Sequence, residues 1–97
     1  MAGTRIPMHP WTSKMLELLK DFKEHTFREI YDHVQAAIPD DFALDKYRKN
    51  HGKPSAVLED QIAAGKKYTV TNYLSHLLRS HRCVATGENW ERVFRLL

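Results

Sequence analysis

The sequence predicts a mainly α-helical domain that closes with a small C-terminal β-hairpin. Apolar residues recur at the 3.6-residue helical period in residues 12–24, 26–38 and 69–81. The C-terminal end then changes rhythm. Cys83, Val84, Ala85 and Thr86 read as a short strand, Gly87, Glu88 and Asn89 as a turn, and residues 90–96 as a returning strand with Trp90, Phe94 and Leu96 on one face. At 97 residues the chain has the length of one domain.

Residues 1–11, which hold Pro7 and Pro10 and show no periodicity, are expected to form an N-terminal arm or a lead-in strand. The first helix then spans residues 12–24, capped by Thr12 or Ser13. Met15, Leu18, Leu19 and Phe22 form its apolar stripe, with Lys14, Glu17, Lys20 and Asp21 opposite. Thr26 and Glu29 fit a capping box that opens the second helix. Phe27, Ile30, Tyr31, Val34 and Ile38 continue its period until Pro39, before which helical geometry is disfavoured.

Residues 39–67 read as an insert, and a structureless stretch of that length is unusual in a compact domain. A helix over residues 40–50 would point Phe42, Leu44 and Tyr47 inward. Asn50, His51, Gly52, Lys53 and Pro54 read as a break. Ser55 then caps a second short helix that ends near Ala64, with Gly65 as a left-handed stop. The third main helix, residues 69–81, buries Val70, Leu74, Leu77 and Leu78 and turns Thr71, Asn72, Ser75, His76 and Arg79 outward. In the last strand Arg92 lies near the turn, where it reaches solvent. Val93 breaks the alternation, so that strand is either covered on both faces or bulged.

Charge is unevenly placed. Residues 1–48 carry 7 Lys/Arg against 8 Asp/Glu, whereas residues 49–97 carry 8 against 4. Residues 61–87 contain Lys66, Lys67, Arg79 and Arg82, with His76 and His81, and no acid. A basic, acid-free segment is the footprint of phosphate contact, although a solvated face with no partner has the same composition. The single cysteine, Cys83, builds no disulfide framework and reads as a small buried strand residue. No apolar run has the length of a membrane span, and the start lacks a signal-peptide core, so a cytoplasmic protein is expected. His76, His81 and Cys83 lack zinc-site spacing, so no metal or other cofactor is expected. Asp40, Asp41 and Asp45 are placed to stabilise a helix start rather than to catalyse, and no nucleophile motif or glycine-rich phosphate loop accompanies them, so the chain is not expected to be an enzyme. Trp11 and Trp90 read first as core, with stacking on bases left open for Trp90.

The order helix, helix, insert, helix, hairpin resembles the winged helix-turn-helix DNA-binding family, as in small bacterial and phage regulators. Val70-Thr71-Asn72-Tyr73-Leu74-Ser75-His76-Leu77-Leu78-Arg79-Ser80-His81-Arg82-Cys83-Val84 resembles the family's third helix and the strand after it, and Trp90-Glu91-Arg92-Val93-Phe94-Arg95-Leu96 resembles its returning wing strand. The resemblance covers residues 12–38 and 66–97. It implies double-stranded DNA as partner, with Thr71, Asn72, Ser75, His76 and Arg79 facing bases. Lys66, Lys67, Thr69 and Arg82 at the helix ends would hold phosphates, and Arg92 would touch the backbone from the wing, residues 82–97. The family's turn before this helix is usually shorter. Either residues 39–67 are decoration, the preferred reading, or residues 55–64 form the positioning helix. The wing turn also carries an acid and no base. Such a regulator often works as a homodimer or with a protein partner. Two other readings are a winged-helix protein-interaction module without DNA binding, using an apolar patch of Phe42, Tyr47 and Val57, and a small RNA-binding regulator.

Overall fold

The computed structural model of the protein describes residues 9–51 and 57–97, and only the backbone of residues 50 and 51. Helix α1 spans Pro10–Leu19 and starts earlier than its polar residues suggest. Proline suits a first helical position because its missing N–H would have no partner there. Thr12 is not the cap but sits inside the first turn, where its Oγ1 accepts from the His9 N–H (2.9 Å) and donates to the His9 carbonyl (2.7 Å). Pro10 and Trp11 therefore belong to the helix rather than to an arm, and Trp11 is buried. Residues 1–8 of that arm lie outside the described residues, as do the Gly52–Pro54 part of the expected break and the Ser55 cap.

α1 also ends early. The Phe22 N–H bonds back to the Leu19 carbonyl, Phe22 takes a left-handed φ of 61°, and its ring is 57% exposed. Its place in the stripe is thus corrected: Met15 and Leu19 are fully buried, whereas Phe22 lies past the helix end. The Asp21 carboxylate directs this exit by accepting from the Lys23 N–H (2.8 Å) and from His25.

His25 and Thr26 form β1, a two-residue strand that the sequence pattern did not reveal. Thr26 also caps α2, Phe27–Val34, by accepting from the Glu29 N–H. The Glu29 carboxylate does not complete the expected reciprocal bond but turns to His25. The helical path then tightens into a 3₁₀ turn, Gln35–Ala37, and stops at the buried Ile38 before Pro39.

His25 is a buried ring between two carboxylates. Its Nε2 donates to Asp21 Oδ1 at 2.9 Å, and its Nδ1 lies 3.0 Å from Glu29 Oε1 in a poorly aligned contact. Burial opposes the charged ring, but the contacts with Asp21 and Glu29 outweigh it and raise the pKa above the usual 6.5. The linked stability is therefore complete below that usual value and is lost as pH rises through the higher folded-state value. Asp21, held below the usual 3.8 by the Lys23 N–H and then by His25, makes its own contribution above that value and loses it as pH falls through the lower folded-state value. We expect the stability gap between wild type and His25→Gln to be larger at about pH 6 than at about pH 8.5. Equal gaps in urea titrations would mean that folding leaves the affinity of the ring for its proton unchanged.

The described part of residues 39–67 is largely helical, as expected of the insert. Helix α3 spans Asp40–His51, as expected, with Ala43 and Tyr47 buried and Phe42 and Leu44 half-buried. Helix α4 then runs unbroken across Leu58–Arg79. The separate helix over residues 55–64, its stop at Gly65, and a later start near Thr69 are all corrected by this one continuous element. Gly65 lies inside it for a packing reason. A Cβ built there would fall 1.8 Å from the Ala43 carbonyl oxygen, so the backbones of α3 and α4 approach where only hydrogen fits.

Strand β2, Cys83–Thr86, and strand β3, Val93–Leu96, form the expected hairpin. Trp90 is not in the returning strand but in a 3₁₀ turn, Asn89–Glu91. The sheet is antiparallel, in the order β1-β3-β2, with His25 opposite Phe94 and Ala85 opposite Phe94 on the other side. Cys83 and Phe94 face the core, which also contains Met15, Leu19, Ile30, Val34, Val70, Leu74 and Leu77. Val93 is explained without a bulge: it is half-buried and pairs with Thr26 and Thr86 on its two sides. Among the described residues, no helix is long and apolar enough to cross a membrane.

Candidate nucleic-acid interface

α4 buries Val70, Tyr73, Leu74 and Leu77 and presents Thr71, Asn72, His76 and Arg79 to solvent, with Ser75 half-buried. Thr71 to Arg79 spans about 12 Å along the axis at 1.5 Å per residue. The end of the helix is sharply defined. The His81 N–H donates to the Leu78 carbonyl and the Arg82 N–H to the Leu77 carbonyl, with His81 left-handed at φ 59°. This closure satisfies the last carbonyls and brings the exposed Arg82 beside the end of the α4 face. His76 and Arg79 in the last turn also suit the negative end of the helix dipole.

The two adjacent lysines point to different places, because neighbouring helical residues diverge by about 100°. Lys67 stays on the outer side, its Nζ 4.9 Å from the centre of the Trp90 ring. Lys66 turns inward, and its Nζ donates to Gln35 Oε1 at 3.3 Å and lies 3.6 Å from Asp40 Oδ1, with the side chain 13% exposed. Thr69 is buried and its hydroxyl donates to the Gly65 carbonyl at 2.9 Å. Lys66 and Thr69 are therefore removed from the expected phosphate contacts: both are occupied inside the fold.

The β2–β3 turn is anchored rather than loose. Gly87 (φ 88°) and Asn89 (φ 56°) both adopt left-handed geometry, which glycine and asparagine tolerate best. The Trp90 ring meets Phe27 and Tyr31 edge-on at 5.2 and 5.3 Å, and the Arg28 guanidinium lies 5.3 Å from its centre. The Phe27 N–H donates to the Arg92 carbonyl at 2.7 Å, which ties the turn to α2. Of the two acids there, Glu91 pairs with Arg28 at 3.3 Å, whereas Glu88 is exposed. Trp90 thus acts as a strut.

Two clefts flank the outward face of α4. One, of about 150 Å³, separates it from the β2–β3 hairpin, with Lys67, Thr71 and Ser75 on one wall and Asn89 and Arg92 on the other. The second, of about 120 Å³, lies toward α1 and α3, where Asn72 and His76 meet His9, Trp11, Phe42 and Lys46. His9 stacks on Trp11 at 4.3 Å, and Lys46 Nζ lies 5.5 Å from the Phe42 ring centre. Sequence reasoning missed Lys46 and Asn89. The only advance signal for Asn89 was a turn position that favours left-handed residues. Lys46 had none, because it reaches this surface only through the close contact of α3 with α4.

The apolar patch expected of a protein-interaction module is not assembled: Tyr47 is buried, Phe42 is half-buried, and only Val57 of the three is strongly exposed. Burial raises the pKa of the Cys83 thiol, which donates to the Val84 carbonyl. Among the described residues, no three His, Cys, Asp or Glu side chains converge as a metal site would require. No family model, no curated protein and no solved structure matches the chain.

Proposed function

We propose that the chain binds double-stranded DNA as a small transcriptional regulator, with the second half of α4 in the major groove and the β2–β3 turn beside it. The observation that carries this reading is the exposed, acid-free face formed by Thr71, Asn72, Ser75, His76 and Arg79, continued by Arg82 at its end and by Lys67 and Arg92 across the wing-side cleft. A solvated helix surface ordinarily mixes both signs of charge. The architecture supports the same reading: a short strand between the first two helices joins a hairpin that follows the last helix, the layout of a winged helix-turn-helix domain. Arg79 and Asn72 are the residue types that bond guanine and adenine edges. Lys67, Arg82 and Arg92 are placed to hold phosphates and fix the register.

Fluorescence anisotropy with random and selected duplexes tests this. Three phosphate contacts, from Lys67, Arg82 and Arg92, would lower affinity about fortyfold between ~50 and ~200 mM salt. Absence of binding to any duplex at low salt would refute the reading. Arg79→Ala is expected to weaken binding by about 1–3 kcal/mol while leaving the melting temperature nearly unchanged, because the side chain is exposed. An unchanged affinity would remove Arg79 from the interface.

A further inference from the structure

The cleft between α4 and the wing differs from an ordinary phosphate-holding surface in its floor. Phe27, Leu74 and Phe94 are each at most 5% exposed and, with the half-buried Leu78, line it from below. Its polar groups sit on more exposed residues: Lys67 and Ser75 on α4, Arg92 on the wing. No acid lines it. Arg92 holds its guanidinium 5.4 Å from the Phe94 ring centre, so one cation already lies over the apolar floor. Lys67 Nζ is held near Trp90 on the opposite wall.

A bare phosphate gains little from such a floor, because it would exchange water for carbon on one side. An amphipathic anion satisfies both parts: its ring covers Leu74, Leu78 and Phe94, and its carboxylate meets Lys67 and Arg92 at the rim. The size agrees, since an apolar cavity of roughly 150 Å³ accommodates a benzene ring. We propose that this cleft is a binding site for a small aromatic carboxylate. The inference builds on the proposed DNA-binding face, because Lys67, Thr71, Ser75 and Arg92 belong to both. A bound carboxylate would occupy two of its cations and cancel one of their two charges, and so act as an effector that releases DNA.

Benzoate serves as the probe, followed by amide chemical shifts and Trp90 fluorescence on the full chain. The expected result is saturable binding with shifts concentrated in residues 67–78 and 89–94. Benzyl alcohol, acetate and inorganic phosphate should each bind at least about tenfold more weakly, since each lacks one half of the match. Lys67→Met with Arg92→Met should lower benzoate affinity by about tenfold or more, and Ser75→Leu, which fills the cleft from a half-buried position, should abolish it. Benzoate binding no tighter than acetate or phosphate, or shifts located elsewhere, would overturn the proposal. The titration contains no DNA, so its result stands apart from that of the duplex assay. If duplexes bind, saturating benzoate should weaken them in wild type, and unchanged duplex affinity would overturn the effector role.

Discussion

Gly65→Ala should destabilise the protein by about 3 kcal/mol, at the upper end of the range for overpacked sites. Helix propensity alone predicts the opposite sign, because alanine is favoured over glycine inside a helix by about 1 kcal/mol. Packing decides the outcome. The new methyl would lie 1.8 Å from the Ala43 oxygen, 2.4 Å from its carbonyl carbon and 2.9 Å from its Cα, all of them backbone atoms. No rotamer change relieves that contact; α3 has to move as a unit. Adding Ala43→Gly should therefore fail to rescue the variant, since the atoms in conflict remain. Ala63→Gly, at an exposed position of the same helix, supplies the propensity control with a loss of about 1 kcal/mol. A Gly65→Ala protein as stable as wild type in chemical denaturation would show that α3 and α4 do not meet at this point. The change should also disturb the cleft beside Asn72 and His76, because Phe42 and Lys46 reach it from α3.

This glycine also marks the limit of reading the fold from sequence. Glycine inside a helical pattern signals either a stop or a close backbone approach, and only the position of Ala43, twenty-two residues earlier, decides between them. Local periodicity revealed the buried stripe of Val70, Leu74 and Leu77 because these residues repeat along one helix. It revealed the hairpin through Gly87 and the β-forming residues around it. It did not reveal β1, because His25 and Thr26 have no pattern of their own and become a strand only by pairing with Phe94 and Val93. Phe22 joined the stripe on paper because its spacing is right. The carboxylate of Asp21 and the turn bond to Leu19 end the helix first. The candidate site follows the same division. Thr71, Asn72, His76 and Arg79 were legible as one exposed face of one helix, whereas the separate directions of Lys66 and Lys67 depend on Gln35, Asp40 and Trp90, which come from elsewhere in the chain.

Leu77→Ala should cost about 2–5 kcal/mol, the range for truncating a leucine that leaves a cavity in a closed core. Leu77 is 1% exposed and packs in the core on the inner side of α4. Leu78, one residue later, is half-buried and lines the cleft beside the hairpin, so Leu78→Ala should cost clearly less. The contrast tests the orientation of α4 directly: a rotation of one residue would reverse the order of the two losses. It also separates folding from recognition. The Leu77 carbonyl accepts the Arg82 N–H, a backbone bond that truncating the side chain leaves in place. Arg79 and Arg82 therefore keep their positions in whatever fraction of Leu77→Ala remains folded. That variant should melt much earlier yet bind duplexes with near wild-type affinity when assayed well below its transition. Arg79→Ala should do the reverse. A Leu77→Ala protein that loses affinity in proportion to Arg79→Ala while still fully folded would mean that the core beneath α4, not only its outward face, sets the geometry of contact.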